Sequence, residues 1–235
     1  MTRTVIGRGI YTPKQVARLV NLRLDSDFGE DQIDRWARGY HRAGRDYAPV
    51  IVPELDGDRR LVTFLDFVEL FFVGFFRHQG LSLQVIRAAA REGGKLFSTD
   101  HPFAVKSFRT DGQSIFAELE RTRAASIGLP AERLIEELHI AQMVFPDMVE
   151  PYFEDIDWGD VEAEAYWPCG HDGRIVLDPT RSFGQPIDDL TGVPTEALYS
   201  FVTAGDDPEM VADWYGIPLA AVEAAVEFEH ALRSA

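Results

Sequence analysis

The stretch YTPKQVARLVNLRLDSDFGEDQIDRWARGYHR at 11–42 contains two segments with helical spacing, separated by a polar loop at 23–29. The first helix is predicted to begin at Thr12-Pro13, because threonine is a favoured helix cap and proline fits the first helical position. The second is predicted over 30–43, where apolar residues recur at helical spacing. Its other faces carry arginines, so the stretch predicts two successive helices, the second of them basic.

The segments that follow predict a hairpin and then two helices. In VIVPELDGDRRLVTF, at 50–64, two β-rich runs flank Asp56-Gly57, a strong hairpin signal. The next segment, FLDFVELFFVGFF at 64–76, is apolar on both faces, which predicts a helix buried on both sides. It would lie between layers of one chain or in a homodimer interface, for which it is our candidate. A further helix is predicted over 82–92, ended by Gly93-Gly94.

The remainder of the chain suggests a hairpin, an acidic linker and a compact C-terminal module. The hairpin is expected over 103–119 around Thr110-Asp111-Gly112, and a helix over 131–145 that Pro146 ends. Residues 146–165 are interpreted as an acidic linker with a short helical piece. The module has strands predicted at 174–177 and 183–187, and helices at 194–203, 207–214 and 218–232. The chain is therefore divided into parts 1–95, 96–165 and 166–235.

Charge is distributed very unevenly along the 235 residues, whose net charge is −16. Residues 1–49 carry nine Lys and Arg against six Asp and Glu, whereas residues 126–235 carry four against 23. Phosphates would tolerate the first part and be repelled by the second, so the two parts are expected to have different partners. A lone cysteine, Cys169, and a longest apolar run of only 64–76, interrupted by Asp66 and Glu69, indicate a cytoplasmic protein without a membrane span.

The N-terminal segments resemble the DNA-binding domain of MerR-type regulators, through YTPKQVARL at 11–19, QIDRWARGYHR at 32–42, RRLVTFLDFVEL at 59–70 and GLSLQVIRAAARE at 80–92. The resemblance implies a winged helix-turn-helix whose second helix enters the major groove while the hairpin wing holds the backbone. The long loop at 23–29 departs from the family, which has a tight turn there. The alternative is a solvated basic helix face. The residues expected to contact DNA are Lys14, Gln32, Arg35, Arg38, Arg42, Arg59 and Arg60.

The C-terminal stretch RIVLDPTRSFGQPIDDLTGVPTEALYSFVTAGDDPEMVADWYGIPLAAVEAAVEF at 174–228 resembles a domain of VapB-type antitoxins, which neutralise PIN-domain toxins. The matching positions are Asp178-Pro179, 183–186, Val193-Pro194, Ala204-Gly205 and a core of Ala212, Trp214, Ile217 and Val222. A Gly-Thr-Arg turn of the family is Leu190-Thr191-Gly192 here, so its basic residue is missing. A MerR-like head joined to this domain is identified as one subgroup of these antitoxins.

The antitoxin resemblance implies a partner that is a magnesium-dependent ribonuclease with clustered carboxylates. An arginine can replace the charge of the metal and bind a carboxylate bidentately. The candidates are Arg174, Arg181 and Arg233, of which Arg181, in the loop at 178–185, is preferred. Two alternatives are local pairing of Arg181 and contact between the acidic surface and a basic rim of the toxin.

The C-terminal helices at 207–214 and 218–232 also have helix-turn-helix spacing, but the second displays Glu223, Glu227 and Glu229. Those carboxylates would face phosphates, so this module is interpreted as protein-binding or dimerising. Common nucleotide and metal motifs are absent from the sequence, and the acidic run at 150–164 matches no metal loop. Cys169-Gly170-His171 suggests a metal pair or a nucleophile, but with one cysteine and scattered histidines it is interpreted as a loop cysteine and an exposed histidine. No cofactor is expected.

These observations predict an α+β, mostly helical protein with an N-terminal winged helix-turn-helix and a C-terminal module of short strands and a three-helix bundle. The predicted function is that of a non-enzymatic antitoxin. It would bind a PIN-domain toxin, and it would repress its own operon by binding operator DNA as a homodimer. A MerR-like regulator whose acidic half senses a ligand or protein is the alternative, and a hydrolase is a third class.

Overall fold

The computed structural model describes residues 7–55, 60–122 and 127–235. Its helices are α1 (Pro13–Leu24), α2 (Glu30–Arg38), α3 (Phe64–His78), α4 (Leu83–Phe97), α5 (Ser107–Thr122), α6 (Ala131–Met148), α7 (Glu150–Glu154), α8 (Thr195–Thr203), α9 (Pro208–Tyr215) and α10 (Leu219–Ser234). Its strands are β1 (Tyr40–Arg42), β2 (Arg45–Tyr47), β3 (Ile156–Trp158), β4 (Ala163–Tyr166), β5 (Ile175–Leu177) and β6 (Pro186–Asp188). The predicted α+β, mostly helical class is confirmed.

The first two helices begin where the sequence predicts them. The Thr12 hydroxyl accepts from the Gln15 amide at 3.3 Å, and the Gln15 side chain accepts from the Thr12 amide at 2.8 Å, which forms a capping box. The second helix is shorter than predicted, because the backbone turns at Gly39, whose φ is +72°. The residues that follow pair as the antiparallel hairpin β1–β2. Arg42 therefore lies on a strand, and its prediction as part of the second helix is wrong.

The hairpin predicted around Asp56-Gly57 is not found in the flanking segments. Asp56, Gly57 and Arg59 themselves lie outside the described residues. On either side of them, Val50 donates to the Trp36 carbonyl at 2.7 Å, and Val62 pairs with Tyr11 through two hydrogen bonds of 2.9 Å. Each of the two segments predicted as strands therefore forms backbone hydrogen bonds with an earlier part of the chain, and not with the other segment. The hairpin of this region is β1–β2, at 40–47.

Helix α3 is the centre of the core. Nearly every side chain on it is buried within the single chain, and its phenylalanine rings contact aromatic rings of three other elements: Phe108 and Phe116 of α5, Tyr152 of α7 and Tyr166 of β4. Of the two positions predicted for this helix, burial between layers of one chain is confirmed. The candidate dimer interface is wrong, because a helix buried on all sides by its own chain has no face left for a second copy.

The segment predicted as a hairpin over 103–119 is mostly helical, as α5. Its buried residues Phe108, Ile115, Phe116 and Leu119 have helical spacing and pack between α4 and α6. Gly93-Gly94 does not end α4, which continues to Phe97. A Cβ on Gly93 would lie 2.9 Å from Pro102 Cβ, so this glycine allows close packing instead. Pro146 likewise does not end α6, which continues to Met148.

The segment interpreted as an acidic linker is built into the core. It contains the predicted short helix as α7, but also β3 and β4, and Phe153, Ile156 and Ala163 are buried. These two strands form an antiparallel sheet with β5 and β6, in the order β3-β4-β5-β6. The predicted boundary between 165 and 166 falls inside β4. The division into three parts stays a prediction.

The three C-terminal helices occur close to their predicted positions. The Asp207 side chain caps α9, accepting from the Glu209 amide at 2.8 Å. Leu198, Val211 and Val222 form a small core between these helices, while α10 also contacts α1, β5 and β6. Within the described ranges, no helix combines the length and apolar character needed to cross a membrane.

Candidate functional site

The residues predicted to contact DNA are placed on α1, α2 and the segments beside them. Lys14 and Arg35 are exposed. Gln32 is also exposed, but its side-chain oxygen accepts from the Gly29 amide at 2.9 Å and so caps α2. Arg35 holds its guanidinium 5.7 Å from the centre of the Tyr40 ring, which links α2 to the hairpin.

Two of the predicted arginines meet a common carboxylate on α2. Arg38 lies 3.2 Å from Asp34 Oδ1 and donates to the Leu61 carbonyl at 2.7 Å, while Arg60 Nε lies 3.8 Å from Asp34 Oδ2. Arg38 is half-buried and Arg60 is exposed. Arg38 therefore holds the 60–62 segment on α2, whereas Arg60 forms only a long and exposed ion pair.

The hairpin β1–β2 projects Arg42 and Arg45, both exposed, from the end of α2. Tyr40 and Tyr47 stack at its base with ring centres 4.5 Å apart. Ala43 and Gly44 form the turn with φ values of +51° and +74°, as a two-residue hairpin of matching twist requires. Arg45 was missed by sequence reasoning. The sequence signal for this hairpin was Ala43-Gly44 between Tyr40 and Tyr47, which have high β propensity. It is a weaker turn signal than Asp56-Gly57.

Helix α4 adds two further arginines to this side of the molecule. Arg87 donates to the Ala48 carbonyl at 2.8 Å, directly after the hairpin. Burial lowers the pKa of Arg87, and the positive charge of nearby Arg91 lowers it further. Positive charge is therefore concentrated around the hairpin by residues that are far apart in sequence, which sequence reasoning did not anticipate.

The three arginines predicted to contact a toxin all pair within the chain. Arg174 binds Asp188 at 2.8 Å, and Arg181 binds the side chain of Asp189 at 2.9 Å and its carbonyl at 2.6 Å. Arg233 binds Glu196 at 2.9 Å and Glu229 at 3.3 Å. The first two lie together beside β6, and the third lies at the end of α10. The local pairing considered for Arg181 is thus observed, and the structure does not bring all three together.

Cys169 and His171 have no partner for metal binding in the described part of the chain, where no group of three metal-ligating side chains is found. The His171 ring lies 2.9 Å from Asp157. Desolvation and the negative charge of Glu227 raise the pKa of Cys169, which keeps it a thiol instead of a reactive thiolate.

A cleft of about 940 Å³ lies between the start of α3, the loop at 98–101, β3–β4 and the loop at 178–180. Its lining includes the basic side chains of Arg8 and His101, but six acidic residues outnumber them: Glu54, Asp100, Asp157, Glu162, Glu164 and Asp178. Such a cleft disfavours anions. Phosphate contacts are therefore expected at the basic surface around β1–β2 and not here.

Two carboxylates on α3 are fully buried, although the sequence suggested them only as interruptions of an apolar run. Asp66 accepts from the amides of Thr63 at 3.0 Å and Glu54 at 3.1 Å. Glu69 accepts from the amides of Phe103 and of Ala104, the latter at 3.1 Å. Burial raises the pKa of both. They tie loops to the central helix and so act structurally.

One residue assigned to the C-terminal core is on the surface. Ala212 and Val222 are buried as predicted, but the Trp214 side chain is 57% exposed. Phe201, Met210 and Tyr215 are exposed beside it. The resemblance to the antitoxin domain placed this tryptophan in the core, whereas it lies on an exposed side of α9.

Comparisons with known proteins match a family to part of the C-terminal half and find relatives that cover most of the chain. Residues 175–228 match a family described as a protein of unknown function, DUF433. The "Putative antitoxin VapB45" of Mycobacterium tuberculosis is 29% identical over 198 residues, covering 77% of this chain and 80% of that protein. The "Uncharacterized protein Rv2308" of the same organism is 23% identical over 244 residues, covering 99% of this chain and 94% of that protein.

A solved structure matches the fold. The crystal structure of Rv2018 from Mycobacterium tuberculosis has a TM-score of 0.68 and 24% sequence identity, covering 92% of this chain and 96% of that one. The chain thus has the overall fold of Rv2018 and is similar, over most of its length, to a protein named as an antitoxin.

Proposed function

We propose that this chain is the antitoxin of a type II toxin–antitoxin pair, which neutralises a PIN-domain ribonuclease and represses its own operon. The observation that carries the proposal is its similarity, over 77% of the chain, to a protein named as an antitoxin. The charge distribution supports two separate partners, because a basic N-terminal surface suits phosphates and the acidic C-terminal half repels them.

In the proposed DNA-binding mode, α1, α2 and β1–β2 act as a winged helix-turn-helix. Arg35 and Gln32 on α2 would face the major groove, and Lys14, Arg42 and Arg60 would contact phosphates. Arg38 would instead hold the framework, since it is engaged by Asp34 and the Leu61 carbonyl. A homodimer would match two operator half-sites, with an interface other than α3.

In the proposed toxin-binding mode, the C-terminal half meets the ribonuclease. Arg181 is 36% exposed and paired with a carboxylate of similar exposure, so it can exchange Asp189 for a toxin carboxylate at little cost. The excess of carboxylates around it would meet the basic RNA-binding rim of the toxin and speed association.

The proposal requires that a PIN-domain protein is encoded beside this gene, and co-expression of the two proteins tests it. We expect the two proteins to co-elute in size-exclusion chromatography, and the purified chain to suppress cleavage of RNA by that protein. A PIN-domain protein from an unrelated operon serves as the specificity control. Separate elution together with undiminished RNA cleavage would refute the antitoxin function.

A further inference from the structure

The outer face of α8 and α9 carries an exposed group of large apolar side chains, Phe201, Met210, Trp214 and Tyr215, which we name the aromatic patch. Their exposed fractions are 39%, 50%, 57% and 38%. The Phe201 ring centre lies 6.1 Å from that of Trp214 and 6.0 Å from that of Tyr215, and Met210 lies one helical turn before Trp214. The four side chains therefore form one continuous surface.

The aromatic patch is not needed to close the core of its own module. That core consists of Leu198, Val211 and Val222 with their neighbours, all on the inner faces of the helices. Exposed contiguous apolar surface of this kind marks interaction sites. Tryptophan, tyrosine and methionine are also the residues in which the centres of protein interfaces are enriched.

Carboxylates lie next to the aromatic patch in the chain. Residues 194–228 contain seven Asp and Glu and not one Lys or Arg. Asp207 and Asp213 are exposed and Asp206 is half-buried on the same segment, and none of the three forms an ion pair with a described Lys, Arg or His. Nucleic acid is repelled by such a surface, so its partner is a protein with a basic face.

We propose that the aromatic patch is the docking site for the ribonuclease toxin, with Trp214 as its central anchor. This inference rests on the proposed antitoxin function and specifies the surface that carries it. A ribonuclease needs a basic surface to hold the RNA backbone. An apolar depression rimmed by Lys and Arg on that surface would receive the patch, and the carboxylates of Asp206, Asp207 and Asp213 would pair with the rim. The same contact would cover the RNA-binding surface of the ribonuclease and so keep RNA from binding there.

The first arm of the test measures the affinity of the full chain for the purified PIN-domain protein encoded beside its gene, by isothermal titration calorimetry. We expect Trp214→Ala to weaken binding by about 30-fold or more, the loss typical of a central interface tryptophan. Ile135→Ala is the matched control, because Ile135 on α6 is an apolar side chain that is 54% exposed and lies outside both the patch and the Arg181–Asp189 pair. It should change affinity by less than about 3-fold, within the small effects of contacts outside a hot spot.

The second arm measures association rates against salt concentration. Asp206→Asn with Asp213→Asn should slow association and flatten its salt dependence, since peripheral charges act mainly on the association rate. Thermal melts of all variants should stay close to that of the unmodified chain, because the altered side chains lie outside the buried core.

The outcomes separate this inference from the proposed function. If the unmodified chain binds the PIN-domain protein and Trp214→Ala binds it equally well, the docking site is overturned while the antitoxin function stands. If Trp214→Ala leaves that affinity unchanged but lowers the mass of the chain alone in light scattering, the patch joins two copies and the inference is again overturned. If the unmodified chain does not bind, both fall.

Discussion

At the scale of single residues, Glu69 is the most constrained carboxylate of the core. It has no exposed surface, and its side chain accepts the amides of Phe103 and Ala104, which begin the segment leading into α5. Burial raises its pKa well above the ordinary value near 4.3, so the folded state holds a proton that the unfolded state releases. This contribution to stability is present below about pH 4.3 and is lost as the pH rises through the folded-state pKa.

Replacing Glu69 separates its charge from its hydrogen bonds. Glu69→Gln keeps an oxygen acceptor for both amides and has no proton to release. We therefore expect its stability, relative to the unmodified chain, to improve as the pH rises above about 4.3. Glu69→Leu should destabilise by about 1–3 kcal/mol for each amide left without an acceptor. Urea unfolding at several pH values measures both, and equal losses in the two variants would contradict the assignment.

Arg181 permits a second prediction at this scale. Its ion pair with Asp189 is partly exposed on both sides and contributes little to stability. Arg181→Ala should leave the melting temperature almost unchanged but weaken inhibition of the ribonuclease by 10-fold or more, as loss of a charge-assisted bidentate contact would. Arg174→Ala, which strips the buried Asp188 of its cation, is the contrasting variant and should reduce stability. Full inhibition by Arg181→Ala would exclude it as the blocking arginine.

At the scale of elements, the hairpin β1–β2 is the part of the proposed DNA surface that the structure changes most. The turn of the backbone at Gly39 places this hairpin directly after α2, at 40–47. The sequence had predicted the hairpin at 50–64. Arg35 from α2 contacts Tyr40 of this hairpin, and Arg87 from α4 donates to the Ala48 carbonyl directly after it. A basic surface is thus assembled from three elements, each of which carries only a few charges.

The hairpin predicts a specific salt dependence of DNA binding. Arg42→Ala with Arg45→Ala should weaken binding to the promoter DNA of its own operon and reduce the slope of log affinity against log salt by about 2. Arg109→Ala with Arg121→Ala, both exposed on α5, removes the same charge elsewhere and is the control. Fluorescence anisotropy across a salt series makes the measurement, and equal slopes for the two double variants would refute the hairpin contact.

At the scale of the whole molecule, both ends of the chain meet the same core. The Tyr11 hydroxyl donates to the Gly184 carbonyl at 2.8 Å, and the Asn21 side chain donates to the Ala235 carbonyl at 3.3 Å. Arg23 on α1 pairs with the buried Asp155 at 2.6 Å. The main apolar cluster extends from Tyr11 to Leu232. Proposed DNA-binding and toxin-binding parts therefore share one core.

The shared core predicts one cooperative unfolding transition. Calorimetry should show a single peak, and Arg23→Ala should move that whole peak to lower temperature, because Asp155 would be left buried without its cation. The expected loss is about 3 kcal/mol. The exposed Arg121→Ala is a suitable control, since its pair lies on the surface. Two separate peaks would instead show that residues 166–235 unfold as an independent domain.

Much of the local structure was determined by the sequence alone. Thr12-Pro13 starts α1, Asp207 caps α9 and the Phe-rich run forms a helix buried all round, because each signal acts within a few residues of the chain. The unequal division of charge is also a property of the sequence. It predicts two parts with different partners, whereas the resemblances to known families supplied the kinds of partner.

Only the tertiary structure decided what those elements touch. Thr110-Asp111-Gly112 has turn composition but lies in α5, because the surrounding Phe108, Ile115 and Phe116 bury a helical face between α4 and α6. The three arginines predicted to contact a toxin form ion pairs with carboxylates of the same chain, and Trp214 lies on the surface. The physical reason is that burial and ion pairing depend on neighbours from distant parts of the chain, whereas caps and spacing do not.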